Sequence, residues 1–180
     1  MILEVICGPM FSGKTEELIR RITRAKYAKQ LVLSFKPNMD NRYSSDEIAS
    51  HSGARENCFP VVDATDITDI IIQNKKSFPD LIAIEEIQFF DQDEFRNLIS
   101  FLQTQNTKAI VAGLDMDFAG LPFENVTFAM GVANRVDKLS AVCVKCASDA
   151  TMSYKKTESS QRMEIGKTDI YEARCYRCWS

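Results

Sequence analysis

Up to Lys138 the chain alternates short apolar runs with amphipathic stretches. The runs "LEVIC" (Leu3–Cys7), "LVLSFK" (Leu31–Lys36), "LIAIEE" (Leu81–Glu86) and "AIVAGL" (Ala109–Leu114) are continuous rather than alternating in polarity. Strands covered on both faces of a parallel sheet read this way. "CFPVV" (Cys58–Val62) is a weaker fifth strand. Between them the spacing turns helical. Residues Gly13–Lys29 put Leu18, Ile22 and Ala25 on one side, Asp66–Lys76 form a second amphipathic stretch, and Asp91–Gln105 carry Phe95, Leu98, Ile99 and Leu102 on one stripe. Asp91 suits an N-cap, and Glu94 three residues later approaches a capping box. Strand–helix alternation predicts an α/β fold with a parallel sheet and right-handed crossovers.

Two segments break the pattern. Asn38–Glu56 is polar and aperiodic and reads as a loop. Beyond Lys138 the texture changes to cysteine pairs around a polar insert, Tyr154–Asp169. The chain therefore divides into an α/β unit, residues 1–138, and a metal-organised subdomain, residues 139–180.

Bulk composition narrows the options. The 180 residues are 45% hydrophobic, enough for a real core, and 26% charged, as a soluble domain requires. The net charge of −3 lacks the basic surplus of a protein that grips nucleic-acid phosphates. No apolar run approaches the ~20 residues needed to cross a bilayer. Met1 leads directly into a strand-like run, so no secretory signal and a cytoplasmic location are expected. With one histidine, His51, no two-histidine mechanism fits within one chain. His51 itself reads as a loop hydrogen-bonding group.

The chemistry begins at "GPMFSGKT", Gly8 to Thr15, which matches G-x-x-x-x-G-K-[ST] with a strand before and a helix after. Glycines let the backbone wrap a phosphate, and amides at the helix start point at it. Lys14 is expected to reach the β- and γ-phosphates, and Thr15 to offer its hydroxyl to Mg²⁺. A bland glycine turn with a surface lysine would need neither flanking element. The apolar strand ending on Glu85 and Glu86 supplies acids at the crevice of a parallel sheet. One carboxylate suits a Mg²⁺ site and its neighbour suits proton acceptance. Strand alternation predicts that the two face opposite ways. Without the phosphate loop, such a pair would read as solvated surface.

Cys143-x2-Cys146 and Cys175-x2-Cys178 stand 28 residues apart. In a chain without an export signal, four paired thiolates suit a closed, tetrahedral Zn²⁺ site. A redox reading is weaker, because neither pair reads as opening a helix after a strand. Cys7 and Cys58 fit small core positions.

Taken together, "GPMFSGKT", "DNRYSS", "EEIQFF", "AGLDMDFAGLPF", "KLSAVCVKC" and "CYRC" resemble the cytosolic-type (type II) thymidine kinases over Leu3 to Cys178. The resemblance implies a RecA-like phosphate-loop sheet with a C-terminal zinc-ribbon and lasso subdomain. It implies that Gly8, Pro9, Met10, Phe11, Ser12, Gly13, Lys14 and Thr15 bind ATP, with Asp40, Asn41 and Arg42 near the phosphates. Glu86 would be the base for the thymidine 5′-hydroxyl; Glu85 would help hold Mg²⁺, and Gln88 would sit at the same edge. Phe118 would stack on thymine, with Met10, Leu114 and Phe123 completing the pocket. Ser153 would face the thymine methyl. Arg162, Met163, Glu164, Ile165 and Gly166, followed by Tyr171, would form the lasso, and the four paired cysteines would hold zinc. A homotetramer inhibited by dTTP is also implied. Two departures stand out: glutamate rather than aspartate precedes the base, and Glu164 is charged where an apolar residue is usual.

The competing reading is an ATP-driven, RecA-like nucleic-acid-binding protein whose zinc ribbon grips the polymer. It shares the phosphate loop and the cysteines, but the acidic balance and short chain oppose it. A kinase for another deoxynucleoside is a nearer rival, because base selection rests on few contacts.

Overall fold

A computed structural model describes residues 1–38, 46–50, 52–74, 77–157 and 170–180. Six strands form one wholly parallel sheet: β1 Ile2–Gly8, β2 Val32–Pro37, β5 Phe59–Val61, β6 Leu81–Ile84, β7 Lys108–Leu114 and β8 Arg135–Lys138. Their order is β5-β2-β6-β7-β1-β8. The helices are α1 Lys14–Tyr27, α2 Ala64–Gln73, α3 Gln92–Gln103 and α4 Glu124–Val132. This is the helix-flanked phosphate-loop sheet that the pattern predicts. No helix among the described residues is long and apolar enough to cross a membrane.

The two-residue period of the strands sorts the core. Leu3, Val5 and Cys7 of β1, Ile82 and Ile84 of β6, and Ala109 and Val111 of β7 join the cluster made with α2, α3 and α4. The intervening Ile6, Leu81, Ala83, Ile110 and Ala112 join Leu18 and Ile22 of α1. Each central strand is thus apolar on both faces, which is why its run is continuous.

Several elements depart from expectation. The segment read as a loop contains an antiparallel pair, β3 Glu47–Ala49 and β4 Arg55–Asn57. The pair is too short and polar to show a period; of its six residues only Ile48 and Glu56 are buried. Helix α2 begins two residues earlier than predicted, because Asp63 caps it by accepting from the N–H groups of Thr65 and Asp66. Asp91 caps α3 as predicted, but Glu94 does not close the box. Among the described residues its Oε2 is buried without a hydrogen-bond partner.

Beyond Lys138 the elements are small: β9 Ala141–Val142 with β10 Asp149–Ala150, β11 Met152–Lys155 with β12 Tyr171–Arg174, and the single-turn α5 Tyr176–Trp179. Among the described residues their shared cluster is Ala141, Cys143, Ala150 and Ala173, against which Phe11, Cys175 and Cys178 pack.

Candidate functional site

The loop Gly8–Thr15 leaves the carboxyl end of β1 and enters α1. Gly8 has φ 144°, and a Cβ there would lie 2.4 Å from the carbonyl oxygen of Leu139. Only glycine fits so close to a neighbouring backbone. Gly13, at φ 81°, opens the helix without a side-chain cap, which leaves the first amides of α1 directed outward. The Ser12 hydroxyl and the Lys14 ammonium donate to the Pro9 carbonyl at 2.8 and 2.7 Å. Lys14 therefore spans its own loop. Burial pulls its pKa below the ordinary lysine value, while Glu86, Asp115 and Glu85 hold it up.

Two further contacts tie this loop to the cysteine region. The Met10 N–H donates to Ser153 Oγ on β11 at 3.0 Å. Phe11 takes a left-handed φ of 65° and packs its ring on the small C-terminal core. A bulky residue in that conformation is held there by its surroundings.

Strand β6 ends at Ile84, not on the glutamates. Glu85 is buried and accepts from Thr15 Oγ1 at 2.6 Å. Burial, with the charge of Glu86 beside it, pushes Glu85 up to about 7, against the Thr15 hydrogen bond and the cations Lys36 and Lys14. Glu86 adopts a left-handed φ of 54°. The two acids diverge because of this backbone turn rather than through strand alternation. The turn continues as a 3-10 segment, Ile87–Phe89, tied to α4 by Asn125 Nδ2, which donates to the carbonyls of Ile87 and Phe90. Gln88 donates to Glu86 Oε2 and accepts from the Leu114 N–H at 3.1 Å. A Cβ on Gly113 would meet Gln88, Ile87 and Val126 at 2.8 to 2.9 Å, so glycine there lets the acidic turn lie against β7.

One cleft is lined by Met10 to Glu16, Glu86 and Leu114. It brings the phosphate loop and one of the two acids together. Phe118 lies outside this lining, at the tip of a turn bridged by Met116 and Pro122. Lys155 Nζ sits over its ring at 4.8 Å. Phe123 is buried in the main core at the start of α4. Ser153 is buried with its hydroxyl engaged by Met10, and Tyr171 is buried at the start of β12. Asp40, Asn41, Arg42, His51 and Arg162 to Gly166 lie outside the described residues.

The Sγ atoms of Cys143, Cys146, Cys175 and Cys178 all lie within 4.8 Å of one another, with Cys146 and Cys175 at 3.6 Å. A tetrahedron with bonds of about 2.3 Å places its sulfurs about 3.8 Å apart, so the group fits zinc. The thiols also pull against one another. The Cys175 backbone N–H draws Cys143 down to about 6, while hydrogen bonding with the Cys175 thiol drives Cys178 up to about 12. Four thiolates this close need a cation between them. One sequence argument fails here. Cys175 follows β12 and opens α5, so the second pair does stand at a strand-to-helix junction. Convergence of both pairs, rather than their local setting, favours the metal.

Sequence reasoning passed over three residues. Asp115, buried at the end of β7, meets Lys138 Nζ at 2.9 Å and lies close enough to Lys14 to act on its charge. Lys155 is buried although a lysine. Trp179 donates to the Phe118 carbonyl. Asp115 could have been found from its place at a strand end in the same sheet; the other two carry no one-dimensional signal.

A parallel sheet with this glycine loop at the end of one strand, an acidic turn two strands away and a four-cysteine cluster beside them defines a phosphate-loop α/β protein with a metal-organised appendage. Residues 1–179 match the thymidine kinase family, and the chain belongs to that family of phosphate-transferring kinases. A solved structure described as a DNA replication initiation factor is similar at 16% identity and a TM-score of 0.42, covering 77% of this chain and 40% of that one. The chain thus spans two fifths of that protein's length.

Proposed function

We propose that the protein transfers the γ-phosphate of ATP to the 5′-hydroxyl of thymidine, forming dTMP in nucleotide salvage. Membership of the thymidine kinase family supports the nucleoside. The observation that carries the reading is the cleft shared by the phosphate loop and Glu86. In this reading the loop amides and Lys14 hold the β- and γ-phosphates, so the Lys14 ammonium leaves the Pro9 carbonyl when nucleotide enters. Asp40, Asn41 and Arg42 act beside the phosphates.

Thr15 Oγ1 and Glu85 Oε1, 2.6 Å apart, offer two oxygens near the ~2.9 Å edge of an octahedron with bonds of about 2.05 Å. They would hold Mg²⁺, which neutralises charge on the phosphate oxygens when bound. Glu86 accepts the proton of the attacking hydroxyl. Gln88 holds the Glu86 carboxylate in place and is itself fixed by the Leu114 N–H. Phe118 stacks on the base; Met10, Leu114 and Phe123 shape that side, and the segment around Arg162 to Gly166 covers it. Residues 139–180 form the zinc-held subdomain. The family likeness extends the proposal to a cytoplasmic homotetramer restrained by dTTP, acting on a free nucleoside rather than on nucleic acid.

Glu86→Gln keeps size and hydrogen bonding but removes the basic oxygen. It is expected to keep ATP and thymidine binding and to lower kcat by about 10²-fold or more, the scale of a general base. Near-normal turnover would remove Glu86 from this role. A panel of thymidine, deoxyuridine, deoxycytidine, deoxyadenosine and single-stranded DNA with Mg²⁺ and ATP identifies the acceptor. Selective stimulation by DNA would sink the kinase reading.

A further inference from the structure

The turn that carries Phe118 is built to hold a fixed shape. Asp117 Oδ1 accepts the N–H groups of Ala119 and Leu121, both at 2.9 Å, and the Gly120 N–H returns to the Asp117 carbonyl at 3.1 Å. Gly120 has φ 77°, and a Cβ there would touch Met152 Cε at 3.3 Å and Trp179 Cη2 at 3.4 Å. One edge of the Trp179 indole therefore rests against the turn. Its Nε1–H donates to the Phe118 carbonyl at 3.1 Å.

Trp179 is equally tied to the cysteine cluster. It stands one residue after Cys178, and its backbone N–H donates to the Cys175 carbonyl at 3.0 Å, as does that of Cys178. Arg174 Nη1 holds the Cys178 carbonyl at 3.1 Å. The turn α5 has only four residues and buries none of its side chains. Too short to persist on helix propensity, it depends on what its two cysteines hold.

We propose that Trp179 is a positioning residue for Phe118, through which the four-cysteine cluster sets the nucleoside side of the site. The proposal rests on the reading of Phe118 as the residue that meets the base. Indole reaches Gly120 with Cη2 and donates to the Phe118 carbonyl through Nε1; phenyl keeps an aromatic ring beside the turn but is shorter and has no donor. Free energy passes both ways along such a link, so occupancy at Phe118 is felt at Trp179 and metal loss at Trp179 is felt at Phe118.

Trp179 is the single tryptophan of the chain, so tryptophan emission comes from this position alone. In the zinc-loaded wild type, saturating thymidine is expected to change the emission. Stripping the metal with a chelator is expected to shift it to longer wavelength and raise its quenching by acrylamide. Trp179→Phe, with its zinc content verified, is expected to raise the KM for thymidine about five-fold, the scale of one neutral hydrogen bond, and to leave kcat and the KM for ATP within about two-fold. Phe118→Ala separates the two readings. If it leaves the KM for thymidine unchanged, Phe118 does not meet the base and the underlying reading fails. If it raises that KM while Trp179→Phe does not, the positioning role is overturned. An emission unmoved by both thymidine and metal removal in the wild type overturns it without any variant.

Discussion

The sheet and the cysteine region solve the same problem by different means. The sheet region buries Leu3, Phe35, Ile82, Ile84, Phe95 and Leu98 between its strands and the layer of α2, α3 and α4. Among the described residues after Lys138, three alanines and a cysteine form the one separate cluster, and of large apolar side chains only Met152 and Tyr171 are buried besides. Large apolar side chains each contribute roughly 1.5–3 kcal/mol on burial, whereas alanines contribute far less. The first region can hold itself together by excluding water. The second has too little to exclude and relies on four converging sulfurs. The phosphate loop leans on both: Gly8 pairs with Leu114 in the sheet, while Met10 and Phe11 are held by the cysteine region.

Metal removal breaks the comparison most sharply. A structural zinc contributes on the order of 10 kcal/mol to the fold that holds it. Chelation is expected to make residues 139–180 cleavable by added protease and to raise the KM for thymidine more than ten-fold. The sheet should keep its helical circular dichroism and a cooperative thermal transition. Continued protease resistance of the carboxyl end after verified zinc loss would sink the contrast between the two regions.

The same contrast explains what was legible in one dimension. Central strands β1, β6 and β7 show as unbroken apolar runs because both faces are covered. Helices α1 and α3 show because their apolar residues recur on one side. Strand β8 does not show: Arg135, Val136 and Lys138 are exposed, and as an edge strand it needs no apolar face. Helix α4 does not show either, since Val126, Phe128, Ala129, Met130 and Val132 surround it rather than forming a stripe. The phosphate loop and the cysteine pairs were legible because their chemistry demands fixed spacing. The left-handed turn at Glu86, the clasp of Gln88 on it and the link from Trp179 to Phe118 depend on contacts between distant elements, which spacing does not encode.

A second prediction probes how the sheet holds its polar edge. Arg21 of α1, buried, reaches Glu4 at 2.6 Å, Glu17 at 2.8 Å and Asp137 at 2.7 Å. Hydrogen bonding from Arg20, and then from Arg21, draws Glu17 down to about 2 despite some desolvation. Asp137 is lowered chiefly by Arg135, and Arg21 adds to this. For Glu4, burial pushes upward but Lys108 and Arg21 prevail and lower it. Each carboxylate binds its proton less readily folded than unfolded. Their stabilisation is therefore full above the unfolded range near 4.3 and is lost as pH falls towards 2. Denaturant unfolding from pH 5.5 to 2.5 is expected to show a decline of about 1–2 kcal/mol from this cluster, after allowing for solvent screening. Arg21→Met should be less stable at pH 6 and lose less on acidification. Parallel pH slopes for the two proteins would mean that the cluster does not hold the edge.

The smallest effect tests a local device within the sheet region. Asp91 Oδ1 accepts from the N–H groups of Asp93 and Glu94 at 2.9 and 3.1 Å, satisfying two of the four unpaired donors at the start of α3. Asp91→Ala leaves those donors to water, which reaches them because Asp91 is exposed. The cost is expected to be about 1 kcal/mol, a fall of roughly 2–4 °C in Tm for a chain of this size. Asp91→Ser should restore most of the difference, because serine keeps an acceptor at the cap. Zinc content and the protease resistance of residues 139–180 should not change in either variant. If alanine and serine lower Tm equally, the carboxylate acts through charge at the helix start rather than as a cap. If zinc retention falls as well, the two regions are more tightly coupled than their separate cores imply.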